Sequence, residues 1–186
     1  MSTTPETPVT AVGDALGQAT GQWTLDPSGS SVSISHSTLW GLVKVKGRFS
    51  GLRGEGQVGA DGSVAGVFAV DAASIDTKNK KRDEHLRSDD FFKVEANPEI
   101  IFEPRSARAD GPGFLVEGVL TAGGVSRRVE VPVAIVDVQD DAITVEANLQ
   151  VDRADHGMSF NQMGMIRGRA NARVVGRFVR SGGNPQ

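Results

Sequence analysis

Apolar and polar residues alternate at every second position along most of residues 23–178. The clearest run is residues 43–50, in which Val43, Val45 and Phe49 alternate with cations. Successive side chains of an extended chain point to opposite faces, so this period predicts strands with one apolar face. Turn signals separate the runs at hairpin spacing, without the rhythm of strand–helix–strand units. The pattern therefore predicts an antiparallel, all-β fold.

The predicted strands are numerous and long, which constrains how the sheet hides its edges. Roughly eight of them follow one another, and residues 42–50 alone would span about 30 Å. Many strands must either close into a barrel or pack as a sandwich. Long, evenly spaced strands favour an up-and-down β-barrel with one short helical insert. A barrel of about eight strands can hold one small ligand.

Residues 74–92 interrupt the alternation and are the most highly charged part of the chain. Leu86 is the only large apolar side chain in the centre of this segment. A helix there would bury a narrow stripe and would need local support. We expect Asp76 or Thr77 to cap its N-terminus.

The same segment is interpreted as a structural crossover on the barrel, with a lid over one end of the barrel as the alternative. Its charged residues are expected to face water and one another, as in an Asp83–Arg87 helix pair. The apolar side chains expected to anchor it are Ile75, Leu86, Phe91 and Phe92.

Length and composition exclude several classes of protein. The 186 residues favour one domain, divided here into a flexible tail at 1–21, a barrel domain at 22–180 and a tail at 181–186. Without cysteine there is no disulfide, thiolate metal site or cysteine nucleophile. A net charge of -3 gives no support to nucleic-acid binding. No apolar run approaches a membrane span of ~20 residues, and no signal peptide is visible, so we expect a cytoplasmic protein.

The predicted inner face carries Val, Ile, Leu and Phe, with Gly and Ala between them. Either the small residues match larger ones opposite and the barrel is filled, or they leave a cavity for an apolar ligand. Burial of a chain gains ~0.8 kcal/mol per CH₂, which can offset the ordering of the ligand. The residues predicted to line such a tunnel are Val45, Phe49, Phe68, Val70, Ile100, Phe102, Phe114, Val116, Leu120, Val131, Val133, Val145 and Leu149.

Candidate catalytic and metal-binding groups are few. His36, His85 and His156 have no metal-ligand spacing, so no metal site is predicted. Asp83 with His85, or Asp155 with His156, are possible acid–base pairs, but adjacent residues on exposed loops are usually solvated. No catalytic residue is therefore assigned.

Residues 160–165 place two methionines on a polar connection before the last strand. Methionine side chains adapt to irregular surfaces. The segment is either a loop packed on the barrel end, or an adaptable rim of the cavity or a subunit contact.

Several segments together carry a family resemblance. They are Trp-Thr-Leu-Asp-Pro at 23–27, Ser-Ile-Asp-Thr at 74–77, Arg-Asp-Glu-His-Leu-Arg-Ser-Asp-Asp-Phe-Phe at 82–92, Pro-Glu-Ile-Ile-Phe at 98–102 and Gly-Val-Leu-Thr-Ala-Gly-Gly-Val at 118–125. Over about residues 23–178 the chain resembles the YceI-like family of bacterial polyisoprenoid-binding proteins.

The resemblance implies a lipocalin-like antiparallel barrel whose apolar tunnel holds a long isoprenoid, such as a polyprenyl chain or an isoprenoid quinone. It implies no catalytic residues and no cofactor other than such a bound lipid or quinone. It also implies a homodimer, since many members form dimers. After Arg153 the family usually has an aromatic residue before the glycine, where this chain has His156 and Gly157. The last strand is also richer in Arg and Ala than usual, and both departures affect the shape of one barrel end.

The expected function is binding, carriage or storage of an isoprenoid lipid. One alternative is an enzyme that uses a His/Asp pair at the barrel mouth on a lipid or a quinone. The other is an interaction module without a ligand, with the charged segment at 74–92 as its partner surface.

Overall fold

The computed structural model describes most of the chain. The connection at 160–165 and most of both predicted tails lie outside the described residues. Those that the structure describes are residue 17 and residues 19–38, 43–158 and 169–182.

The secondary structure consists almost entirely of strands, as the alternation predicted. An α-helix, α1, lies between the fifth and sixth strands. The strands and the helix, in chain order, are β1 Gly21–Leu25, β2 Ser31–Thr38, β3 Val43–Phe49, β4 Leu52–Val58, β5 Val64–Asp71, α1 Lys80–Arg87, β6 Glu99–Asp110, β7 Gly113–Ala122, β8 Val125–Gln139, β9 Ala142–Val151 and β10 Ala170–Arg180.

The strands form one closed antiparallel sheet. Its hydrogen-bonded order is β1-β4-β5-β6-β7-β8-β9-β10-β2-β3, and an additional β1–β10 pairing closes the ring. β10 pairs with β9 along one edge and with β2 and then β1 along the other. β1 with β2, and β3 with β4, are thus two long strands with a short interruption each, which leaves eight strands around the barrel. The predicted eight-stranded up-and-down barrel is confirmed.

The interruption between β1 and β2 is a 3-10 turn at Pro27–Gly29. Asp26 caps it by accepting a hydrogen bond from the Ser28 main chain at 3.0 Å. The other carboxylate oxygen of Asp26 accepts a hydrogen bond from Arg177 of β10 at 2.8 Å. Asp26 and Pro27 therefore form a turn, and Arg177 keeps this turn attached to the neighbouring strand.

The crossover at residues 72–98 connects β5 to β6 and contains α1. The helix is capped by Asn79, whose side chain accepts a hydrogen bond from the Arg82 main chain at 3.1 Å, so the expected cap at Asp76 or Thr77 is wrong. Thr77 instead donates from its main chain and its hydroxyl to Asp83, at 2.9 and 2.5 Å. The buried Asp83 thereby holds the chain just before the helix.

Arg87 does not form the expected pair with Asp83. Its guanidinium donates to the main-chain carbonyls of Ala73 and Ile75, at 2.8 and 2.9 Å. The expectation that the charged residues face water and one another is wrong for these two positions, because extended backbone next to a short helix leaves carbonyls that need donors.

The crossover is anchored to the barrel by the four predicted apolar side chains. Ile75 is fully buried against Val32, Phe49 and Val70, and Phe92 meets Phe49 edge to face at 5.9 Å between ring centroids. On the other side of the segment Phe91 packs against Ala122 and Met158, and Leu86 contacts both clusters. The interpretation as a structural crossover is confirmed by these contacts.

Pro104 lies in the middle of β6, although the missing N–H of proline favours an edge strand or a strand end. The register of β6 with β7 shifts between Pro104 and Ser106. A β-bulge tolerates proline because the ladder is interrupted there.

Candidate functional site

The inner wall of the barrel can be followed from strand to strand, because cross-strand partners share a face. Every predicted tunnel residue lies on this same face. Direct partners among the predicted residues are Phe68–Phe102, Val70–Ile100, Phe102–Leu120, Phe114–Val133 and Val116–Val131. The other predicted residues pair across strands with further residues of the same face. These pairs are Val45–His36, Phe49–Val32, Val145–Ile135 and Leu149–Ala172.

The inner wall is not sealed by its own side chains. Among the described residues, Ile75 is the only large side chain with less than 2% exposure. The other large side chains of the wall keep a larger exposed fraction. The predicted tunnel residues that are buried are Phe49, Val70, Leu120 and Val131. Those that are half-buried are Val45, Phe68, Ile100, Phe102, Phe114, Val116, Val133, Val145 and Leu149.

Some small residues of the inner wall are matched by larger neighbours. A Cβ on Gly118 would lie 2.6 Å from the Phe102 ring, and one on Gly47 would lie 2.8 Å from Ile75. The filled alternative therefore holds locally, most clearly beside the crossover. On β7, β8 and β9 the wall is different, since its half-buried residues belong to neither packed cluster. These are Phe114, Val116, Val133, Val145 and Leu149.

His36 is a polar residue on the inner wall, where it is the cross-strand partner of Val45. Both ring nitrogens are buried, and neither has a hydrogen-bond partner among the described residues. Burial has the largest effect on the pKa of His36 and lowers it. The main chain of Arg169 raises this pKa less strongly, and the charge of Arg153 lowers it slightly further. The sequence signal was the position of His36 in the apolar alternation, but the residue was weighed only as a metal ligand.

Arg153 is a half-buried cation at the end of β9, in the 3-10 turn Arg153–His156. Burial lowers its pKa, and Asp152 partly opposes the shift. His156 is 2% exposed, and its Nδ1 lies 2.9 Å from the Val125 carbonyl oxygen. His156 is thus held by the main chain of β8, at the barrel end where the chain departs from the family pattern.

Two acid–base pairs were suggested by the sequence, Asp83 with His85 and Asp155 with His156. In each pair, one residue hydrogen-bonds to a different group. Asp83 bonds to Thr77, and His156 to the main chain of β8. A different pair is present: His85 Nε2 lies 3.0 Å from Asp90 Oδ2, with side chains 41% and 52% exposed. Within the described ranges, no group of three or more His, Cys, Asp or Glu residues is placed to hold a metal ion.

The outer face of β9, β10, β2 and β3 forms an open concavity of about 710 Å³. Three exposed cations of β3 line it, namely Lys44, Lys46 and Arg48. Arg173 of β10 also lines it and pairs with Glu146 at 2.7 Å. The hydrogen bonds from Arg173, and then from Asn148, lower the pKa of Glu146 to about 2. The lining of the concavity also includes Ile34, Gly47, Leu149 and Ala172, which belong to strand positions of the inner wall.

The fold and the inner wall define a closed, lipocalin-like antiparallel β-barrel with an apolar interior. A model of the YceI-like domain matches residues 23–178. The chain therefore belongs to the YceI-like family, and the resemblance noted in the sequence is confirmed.

Curated relatives match parts of the chain. A UPF0312 protein of Serratia proteamaculans is 33% identical over 95 residues, which are 48% of this chain and 50% of the relative. A UPF0312 protein of Pseudomonas aeruginosa is 36% identical over 72 residues, 39% of this chain and 38% of the relative. The chain thus spans half or less of the length of these relatives.

Solved structures share the fold at low sequence identity. BcnA of Burkholderia cenocepacia has a TM-score of 0.73 at 19% identity, over 82% of this chain and 98% of that one. A polyisoprenoid binding domain from Saccharophagus degradans has a TM-score of 0.67 at 17% identity, over 85% and 98%. The Campylobacter jejuni YceI protein has a TM-score of 0.65 at 23% identity, over 73% and 85%.

α1 has only eight residues. In the part of the chain that the structure describes, no helix has the length and apolar character needed to span a bilayer.

Proposed function

We propose that this chain binds an isoprenoid lipid, either a polyprenyl chain or an isoprenoid quinone, along its inner wall and carries or stores it. The observation that carries the proposal is the apolar inner wall of β7, β8 and β9, whose side chains are half-buried although they face the barrel interior. The family and the polyisoprenoid binding domain from Saccharophagus degradans support the ligand class.

The chemistry of the wall suits a long hydrocarbon. Apolar side chains give no directional contacts, so affinity grows with the buried length of the ligand at ~0.8 kcal/mol per CH₂. Part of that gain is offset by the ordering of the chain. A ligand of several isoprene units would bind with useful affinity, whereas a short one would not.

The direct test is organic extraction of the purified native protein, followed by mass spectrometry of the extract. Val116→Asp should lower the lipid content at least about tenfold, since an unpaired carboxylate in an apolar site is strongly unfavourable. Val116→Trp should lower it as well, by filling the space without adding charge.

Leu115→Asp is the matched control, because Leu115 is the next residue of β7 and points to the opposite face. It should leave the lipid content unchanged, and circular dichroism should show folded protein for every variant compared. Unchanged lipid content in both Val116 variants would contradict the proposal.

The alternative of an enzyme depends on the His85–Asp90 pair. Both side chains are about half exposed, whereas an acid–base pair usually works in a site that excludes water. We therefore expect His85→Ala to retain the lipid content of the wild type. Loss of a lipid-directed or quinone-directed turnover in this variant, with lipid still bound, would favour the enzyme.

A further inference from the structure

His36 lies near one end of the barrel interior, the end at which the crossover and the β9–β10 connection are found. Its neighbours on the inner wall are apolar. Val45 is its partner on β3, and the register of β10 with β2 and β9 puts Ala170 and Val151 at the same level. The next inward residues along β2 are Ile34 and Val32. His36 is thus a polar side chain at the head of an apolar wall.

The ring nitrogens of His36 have no hydrogen-bond partner among the described residues, although both are buried. Buried polar atoms in proteins are nearly always bonded, and leaving one unbonded is unfavourable. A neutral imidazole offers one donor and one acceptor. Within the described part of the chain, His36 therefore keeps a donor and an acceptor available to a molecule inside the barrel.

The opposite end of the barrel has a charged residue on the inner face, but that residue already has partners within the chain. Arg180 is the partner of Trp23; its guanidinium stacks over the indole at 4.5 Å from the ring centroid and donates to the Thr20 carbonyl at 2.8 Å. The two ends differ, and the unused hydrogen-bonding capacity lies at the His36 end.

We propose that His36 binds the oxygen-bearing head group of the isoprenoid ligand, and that the tail runs from there along the wall formed by β7, β8 and β9. This inference rests on the proposed function and adds the position and polarity of the ligand to it. The recognised chemistry is an oxygen that accepts a hydrogen bond, as in a quinone carbonyl, an alcohol or a phosphate. The half-buried Arg153, whose charge acts on His36, would favour an anionic head further.

The test compares ligands that share one all-trans polyprenyl chain and differ in the head: a benzoquinone, an alcohol, a monophosphate and the hydrocarbon without a head. The full chain is delipidated, and the dissociation constant of each ligand is measured. The wild type should bind the oxygen-bearing ligands about tenfold or more tightly than the hydrocarbon. The order among the quinone, the alcohol and the monophosphate then identifies the source of the oxygen.

His36→Leu should abolish this preference while the hydrocarbon binds as before, and His36→Gln should retain part of it. Ser35→Ala is the matched control, since Ser35 directly precedes His36 in β2 and lies on the opposite face as the partner of Lys46, and it should keep the preference. In the wild type, the imidazole ¹⁵N resonances of His36 should shift with an oxygen-bearing ligand more than with the hydrocarbon.

An unchanged preference in folded His36→Leu, or ¹⁵N shifts that do not distinguish the ligands, would overturn the role of His36 and leave the proposed function intact. If the wild type binds none of the ligands, including the hydrocarbon, the proposed function itself fails.

Discussion

Asp83 is an acid that works through burial, at 7% exposure. Its carboxylate satisfies both the main-chain N–H and the hydroxyl of Thr77. Asp83→Ala should lower the free energy of unfolding by about 1–3 kcal/mol, because these groups lose a charged acceptor. Urea unfolding measures the change, and Asp89→Ala, at an exposed position, is the control. Equal stability of the two variants would contradict the role of Asp83.

The carboxylate of Glu146 makes the stability of the folded chain depend on pH in a direction that can be predicted. Arg173 and Asn148 lower its pKa from 4.5 to about 2 in the folded chain. Because this folded pKa is depressed, the stabilisation is fully present above the unfolded pKa and is lost as the pH falls toward the folded one. The Tm difference between wild type and Glu146→Gln should be constant above about pH 5.5 and shrink between pH 4.5 and 2.

Arg173→Leu tests the cause, since Arg173 makes the largest contribution to the shift. In the Arg173→Leu background, the Tm difference between proteins with Glu146 and with Gln at this position should depend far less on pH over the same range. A difference that kept its pH dependence without Arg173 would contradict the assignment.

At the scale of single residues, the alternation placed His36 and the tunnel residues on one face. It held no information on how deeply each side chain is buried or on its hydrogen-bond partners. Asp83 illustrates the same limit. Its spacing to Arg87 fitted a helix pair, yet both side chains bond to main-chain groups that come near only once the crossover folds back.

Among the secondary-structure elements, the crossover contributes an aromatic contact to the core. Phe92 is half-buried and meets Phe49 edge to face. Phe92→Ala should lower the free energy of unfolding by about 2–3 kcal/mol, somewhat less than a fully buried phenylalanine would. Chemical denaturation measures this loss.

Lys80→Glu is the control on the same element, because Lys80 is exposed at the start of α1. It should change stability by less than about 0.5 kcal/mol and leave lipid content unchanged. An equal loss for the two variants would contradict anchoring through Phe92.

The strands could be predicted because most of them carry a run of alternating apolar and polar residues. Such a run distinguishes a strand from a helix more clearly than a short apolar run does. The helix cap could not be predicted, since Asp76, Thr77 and Asn79 are all good capping residues and the sequence does not rank them. The bulge at Pro104 was missed for a related reason: proline marks either an edge or a bulge, and only the pairing of β6 with β7 decides.

For the whole molecule, the proposed ligand should act as part of the core. A ligand that binds only the folded state at 100 times its dissociation constant stabilises by about 2.7 kcal/mol. Delipidated protein should therefore melt about 5–10 °C below loaded protein, as measured by differential scanning calorimetry. Val116→Trp, which fills the space, should narrow this difference, and equal melting of the two forms would contradict a ligand bound within the barrel.

Barrel closure followed from strand number and length, but the contacts that divide two strands into β1/β2 and β3/β4 did not. That division depends on Arg177, Asp26 and the crossover, which are far apart in sequence. The choice between a filled and a hollow interior was equally beyond the sequence, because matching of small and large residues is a property of three-dimensional neighbours.

The β1–β10 pairing joins Trp23 to Arg180, nearly the full sequence apart. During synthesis on a ribosome, β1 would emerge long before β10, and its free edge would stay unpaired until the last strand was complete. Closure is therefore a late and non-local event, which slows folding. The same proximity makes the two described ends of the barrel suitable for a circular permutant, in which a short linker joins β10 to β1 and a new start is placed in an exposed hairpin.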